Sequence, residues 1–321
     1  MLSNTDHCQN QMAIVNLIRR NNLYFPSMRK ETEIKNLILD FATHDNRVRA
    51  VLLNGSRANP NIESDKFQDF DIVFIINSIT SFTSDHSWIN IFGEQIICQL
   101  PDEMSLRNEN SNREKTGFTY LMLFKDKNRI DLTLFPIEKL KSHFLLNSLT
   151  IVWLDKDNLF AGLPDPTDKG YHVKKPTEKE FLDTCNEFWW VSTYVAKGLL
   201  RNEIIYAKEV LETVVRPMFM KVLEWKAGIE NNFSISIGKA GKFLKNYVDD
   251  NLYEKILRTY ANADTEENWN ALFLMTEIFQ QLSNFVASEL SFTINKTEEL
   301  NTIKYLQEQY YQCKIANGPH K

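Results

Sequence analysis

The sequence predicts an α+β protein that changes character once along its length. Three observations support this. Short β-type apolar runs crowd the region up to about residue 155, glycines, prolines and charges gather over 156–176, and from Thr177 onward apolar residues recur at helical spacing. The expected division is therefore an N-terminal α+β domain at 1–155, a connecting segment at 156–176 and an all-α domain at 177–321.

The elements follow in order. Ile34, Leu37, Ile38 and Phe41 fall on one face, so an amphipathic helix is expected over Glu31–Thr43. Strands are expected at Arg49–Asn54, Phe70–Asn77, Gln95–Leu100, Thr119–Phe124, Arg129–Phe135 and Thr150–Leu154. The turn-forming Lys125-Asp126-Lys127-Asn128 should join the fourth and fifth as a hairpin. Thr177 with Glu180 makes a capping box that starts the first helix of the second domain. Ile204, Ala207, Leu211, Val214 and Met218 form one long helical stripe, which Pro217 should kink. Leu272, Met275, Phe279, Leu282 and Val286 mark another helix, and a polar-faced helix around Thr302–Gln312 closes the chain.

Composition narrows the function classes. With 43% apolar residues and 12% aromatics in 321 residues, the chain is globular and long enough for two cores. A net charge of -5 argues against nucleic acid as a partner and suits a positively charged small molecule. Cys8, Cys98, Cys185 and Cys313 make no C-x-x-C pair, and Cys98 and Cys185 sit in apolar runs that read as buried thiols. The histidines show no zinc-ligand spacing. Without a leader-like or membrane-length apolar run, the expectation is a reduced, cytoplasmic protein with no membrane partner, monomeric or weakly dimeric.

The chemistry gathers at strand ends. The stretch LLNGSRANPNIESDKFQDFDIVFI closes one strand on Gly55-Ser56-Arg57 and opens the next with Asp69 and Asp71. Side chains alternate along a strand, so the two aspartates project to one side. Paired carboxylates repel each other unless they share a divalent cation, and oxygen ligands suit Mg²⁺. Gly55 permits a tight turn and close backbone approach, Ser56 offers a hydroxyl and an N–H, and Arg57 adds a fixed positive charge, all suited to phosphate oxygens. Asp131, set among Ile130, Leu132 and Leu134, supplies a third acid where a charge is otherwise costly. Each piece alone also has a purely structural reading, as a turn or a satisfied buried acid. Together they imply in-line phosphoryl or nucleotidyl transfer.

This set resembles the nucleotidyltransferase superfamily typified by DNA polymerase beta, with its hG[GS] turn, [DE]h[DE]h pair and later third acid. The blocks VLLNGSRANPN, FQDFDIVFI, RIDLTLFP, CNEFWWVSTYVAKGLLRNEIIYAKE and IGKAGKFL are similar, more narrowly, to the aminoglycoside 6-adenylyltransferases (streptomycin adenylyltransferases). The similarity runs from about residue 30 to 290; residues 80–117 and both ends match no block. The resemblance implies an N-terminal nucleotidyltransferase domain, a mixed sheet flanked by helices, followed by a helical bundle. It implies an enzyme that moves AMP from ATP to a hydroxyl of a streptomycin-like antibiotic, releases pyrophosphate and confers resistance. Asp69 and Asp71 would hold Mg²⁺, and Asp131 would be metal ligand, general base or both. Gly55, Ser56 and Arg57 would contact the triphosphate. A different hydroxylated cation or a protein acceptor is the alternative, and a nucleotide-binding relic is a third reading that the intact acid trio disfavours.

In the second domain Asp183, Glu187 and Trp190 share one helical face at i, i+4 and i+7. Two acids and an indole suit a guanidinium-bearing aminocyclitol, although solvated acids and a core indole would give the same spacing. Arg216 in an apolar stripe, and Lys239 after a possible helix start at Gly238, are candidates to reach the triphosphate.

Overall fold

The computed structural model describes residues 26–107 and 116–317, so Cys8 lies outside the described residues. The chain divides into two compact units that part between Asp168 and Lys169.

The first unit is built on helix α1 (Glu31–His44) and strands β1 (Val48–Asn54), β2 (Phe70–Ile76), β3 (Gln95–Gln99), β4 (Phe118–Phe124), β5 (Arg129–Pro136) and β6 (Thr150–Asp155). They form one mixed sheet in the order β3-β4-β5-β2-β1-β6. The β2/β5 pair is parallel and every other pair is antiparallel. The hairpin between β4 and β5 turns at Lys127, whose φ is 70°.

Sheet position explains the sequence pattern. Central strands β1 and β2 are covered on both faces, so they read as unbroken apolar runs. On one face Ile34, Ile38 and Ala42 of α1 pack on Val51, Leu53, Ile72 and Phe74. On the other, Ala50, Leu52, Val73, Ile75 and Phe135 form a smaller core with Phe144, Leu159 and Phe160. In β4 only alternate residues are buried, although its sequence is apolar on both faces.

The 156–176 segment is less free than its composition suggests. The Asp155 carboxylate accepts from the Leu159 and Phe160 N–H groups at 2.9 and 2.8 Å, turning their side chains onto the sheet. Val173 belongs to the core of the second unit.

That unit holds α2 (Glu178–Leu200), α3 (Ile204–Val210), α4 (Arg216–Glu230), α5 (Asp250–Arg258), α6 (Thr265–Leu290) and α7 (Lys296–Asn317). The Thr177 hydroxyl accepts from the Glu180 N–H at 3.1 Å and caps α2. The stripe expected across Pro217 is continuous, with a π turn at Leu211–Val215 between α3 and α4. Widening the helix there makes room for the proline ring, which would otherwise meet the carbonyl four residues back. Phe188 and Phe279 stack at 3.6 Å in the core. Cys185 is buried, which pushes its thiol up to about 12. Cys98 is half-buried and raised for the same reason. Among the described residues no helix is long and apolar enough to cross a membrane.

Candidate active site

The acids meet because of strand direction. β1 runs antiparallel to β2, so its last residue Asn54 lies beside Asp71, while parallel β5 puts Asp131 in register with Asp71 on the other side. Asp71 shares its face with Val73 and Ile75, opposite α1, and alternation gives Asp131 the same face. Asp69 lies two residues ahead of Asp71, and its charge and that of Asp131 are felt at Asp71.

Gly55 lets the turn close over this point. Its φ is 75°, and a Cβ built there would stand 2.3 Å from Asp71 Oδ2. The backbone of the turn therefore touches the carboxylate directly, a spacing only glycine permits. The Gly55 N–H is already donated to the Leu149 carbonyl at 3.1 Å. The Ser56 hydroxyl is uncommitted among the described residues. Below the turn, Thr150 donates to Asn54 Oδ1 at 2.6 Å.

Arg57 has a different task from the phosphate contact its charge suggested. Its side chain is only 6% exposed, with Nη1 on Glu31 at 2.8 Å. Nε donates to the Asp69 carbonyl at 3.1 Å and Nη2 to the Gln68 carbonyl at 2.7 Å. The guanidinium also lies 3.9 Å over the Phe70 ring. These bonds fix the backbone leading into Asp69 and Asp71.

Arg129, which carried no role in the sequence reading, stands among the acids. Its Nε and Nη2 reach the two Asp131 oxygens at 2.7 Å each, and Nε is 3.6 Å from Asp69. The available signal was its position two residues before Asp131, on the same strand face.

Burial and then the charges of Asp131 and Asp69 push Asp71 up to about 6, against the pull of Arg129 and Arg57. Asp69 is also raised, mainly by burial. Among the described residues no three His, Cys, Asp or Glu are drawn together tightly enough to grip a metal ion as they stand. The donor set is nevertheless one a hard cation fits: all-oxygen, half-buried and crowded, so that each carboxylate gains from a shared positive charge.

The other expected sites stand in the helical unit. Asp183 and Glu187 line an open groove of about 480 Å³, together with Thr177, Glu180 and Lys221. Asp183 pairs with Lys179 at 2.5 Å. Trp190 is 60% exposed, so it is not a core residue, and its indole N–H donates to the Tyr194 hydroxyl at 2.9 Å. Glu224 lies near Glu180 and Lys221, and burial raises its carboxyl.

Two expected phosphate contacts sit in surroundings other than the sequence suggested. Arg216 is 7% exposed and already partnered: it forks onto Glu212, bonds the Thr259 hydroxyl and carbonyl at 2.9 Å each, and lies 3.6 Å over the Tyr260 ring. It ties α4 to Thr259, with four of its five N–H donors used inside the helical unit. Gly238 starts no helix; the three-residue turn Lys239–Gly241 follows it, and its own N–H goes to Ser236 Oγ at 3.1 Å. Lys239 is exposed, without the helix N-terminus that was expected to support it.

Comparison with known proteins places the chain in a family. The family model "Streptomycin adenylyltransferase" matches residues 28–309. An aminoglycoside 6-adenylyltransferase of Campylobacter jejuni is 43% identical over 265 residues, 83% of this chain and 91% of that protein. One from Bacillus subtilis (strain 168) is 39% identical over 288 residues, 89% of this chain and 100% of that protein. A third, from Staphylococcus aureus, is 39% identical over 261 residues, 81% and 92% of the two chains. A crystal structure of an aminoglycoside 6-adenyltransferase from Bacillus subtilis, 35% identical, covers 88% of this chain and 99% of its own at a TM-score of 0.43, so the family rests on the sequences. The chain belongs to the streptomycin adenylyltransferase family and is a nucleotidyltransferase.

Proposed function

We propose that the protein transfers AMP from ATP to a hydroxyl of a streptomycin-like aminoglycoside, releasing pyrophosphate and conferring resistance. The observation that carries the reading is the register of β2 against β5, with Asp71 beside Asp131 and the Gly55 turn closed against Asp71. The relatives' names supply the acceptor class.

Asp69 and Asp71 are the residues to hold Mg²⁺, with Asp131 as a third ligand or as the base. A bound Mg²⁺ supplies charge neutralisation at the phosphates as pyrophosphate leaves. As base, Asp131 takes the proton of the attacking hydroxyl, from its place on the same sheet face as Asp71. Ser56 offers its hydroxyl to the triphosphate. Gly55 contributes close backbone approach, and Arg57 keeps the Gln68–Asp69 backbone aimed. Catalysis is then positioning plus electrostatics, with no covalent enzyme intermediate.

In the helical unit, Asp183 and Glu187 present two exposed carboxylates on one face of α2, suited to a guanidinium group. Trp190 offers an exposed indole one turn on, for packing against the ring or the cation. Lys239 is a solvent-accessible cation for the nucleotide, whereas Arg216 is not part of the reading.

The test is pyrophosphate release with ATP and Mg²⁺ across a panel of aminoglycosides. Streptomycin-dependent release that falls about 10³-fold in Asp71→Asn is the expected result. Release that requires a protein or an unrelated hydroxylated cation would replace the acceptor. ATP binding with no release under any acceptor would refute the enzyme's proposed reaction.

A further inference from the structure

Two guanidinium groups serve the acid corner, and they are held in opposite ways. Arg57 is gripped by two backbone carbonyls and an aromatic face as well as by Glu31, and is nearly buried. Arg129 is 43% exposed, and its bonds go only to carboxylates: the fork onto Asp131 at 2.7 Å and the longer contact to Asp69 at 3.6 Å. Its strand neighbour across the hairpin, Leu123, is itself half-exposed and cannot clamp it. Arg129 is therefore held by the same carboxylates a cation would claim.

We infer that Arg129 is an exchangeable counter-ion: it neutralises Asp131 and Asp69 until the divalent cation arrives, and then releases Asp131 to it. The inference rests on the proposed reading of the three aspartates as the cation site. Half-buried carboxylates crowded together are costly without a positive partner, and a guanidinium on the same strand supplies one at once. The same pairing sets a threshold, because an incoming ion must displace a bidentate fork to reach Asp131. Arg129 acts through Asp131, as a positioning residue.

The consequence is measurable without turnover. Mn²⁺ binding to the full-length protein, without nucleotide, is followed by the electron spin resonance of free Mn²⁺. Removing one positive charge a few ångströms from the ion should tighten Mn²⁺ roughly tenfold in Arg129→Gln. Arg129→Lys keeps the charge and should stay within about threefold of the parent. In the metal-free state Arg129→Gln should melt below the parent, and Mn²⁺ should close the gap. In the Asp131→Asn background, Arg129→Gln should bring a clearly smaller gain in affinity, since only the charge repulsion and the longer Asp69 contact remain to be relieved. A folded Arg129→Gln protein with unchanged or weaker Mn²⁺ binding overturns the counter-ion role. Failure of both parent and Arg129→Gln to bind Mn²⁺ overturns the cation-site reading beneath it, and the two failures are distinguishable.

Discussion

Gly55→Ala tests the contact between turn and acid most directly. The new Cβ would lie 2.3 Å from Asp71 Oδ2 and 3.2 Å from its Cγ. A carbon–oxygen contact settles near 3.3 Å, so the carboxylate has to retreat by about 1 Å. Misplacement on that scale costs on the order of 10²-fold in rate. The backbone adds its own penalty: at a φ of 75° an alanine is strained by about 1–2 kcal/mol relative to glycine. Gly162→Ala separates the two effects. Its φ is 76°, and nothing lies within 4 Å of a Cβ there. Both variants should lose similar stability in urea melts, about 1 kcal/mol, and only Gly55→Ala should lose kcat in the pyrophosphate assay. Equal kcat in the two variants, with Gly55→Ala folded, would mean that Asp71 is not where the chemistry happens.

The remaining expectations concern stability and acceptor recognition. Arg216→Met should destabilise the helical unit by about 3 kcal/mol by stranding Glu212 and the Thr259 carbonyl, and leave KM for ATP unchanged in the folded fraction. A rise in that KM would return Arg216 to the nucleotide site. Burial alone would raise the Asp126 carboxyl, but bonds from Arg29 and Asn128 overcome it and hold it at about 2, against an ordinary 3.8. A depressed carboxylate stabilises the fold above its unfolded pKa, so about 2 kcal/mol should be lost as pH falls from about 4 to 2. That component should be missing from the acid titration of Asp126→Asn. Glu187→Gln, at an exposed helical position, should shift the melting point little while raising KM for streptomycin roughly tenfold, and KM for ATP not at all.

The strands were legible because their hydrophobic runs are bounded by hard turn signals. Phe70 to Ile76 is seven residues of near-continuous apolar sequence, as a doubly covered strand requires. Helix α5 went unread because its apolar face, Leu252 and Ile256, is only two residues long; its other signal was Asp249, which caps it by accepting from the Leu252 N–H at 2.9 Å. The acids were legible for an energetic reason. A carboxylate among strand leucines has few structural excuses, and period-2 alternation fixes which way it points. Register was not legible: sequence order alone did not say that β5 lies parallel beside β2, which is what aligns Asp131 with Asp71.

The cations were harder to read, and the cause is reach. An aspartate keeps its charge close to the backbone, so strand geometry settles its direction. An arginine places its charge several bonds out, where local periodicity has no hold on it. Arg216 shows the consequence: oddness in an apolar stripe suggested an anion to be met, whereas Glu212, four residues earlier on the same helix face, was the answer already in the sequence. Arg57 and Arg129 show the converse, since both flank the acids and their sequence contexts do not separate them. What separates them is the partner. Two backbone carbonyls and the Phe70 ring hold Arg57 besides Glu31 and give a divalent ion little reason to displace it, while Arg129 is held by carboxylates alone. The permanent and the exchangeable charge of this corner are thus distinguished by what each guanidinium touches.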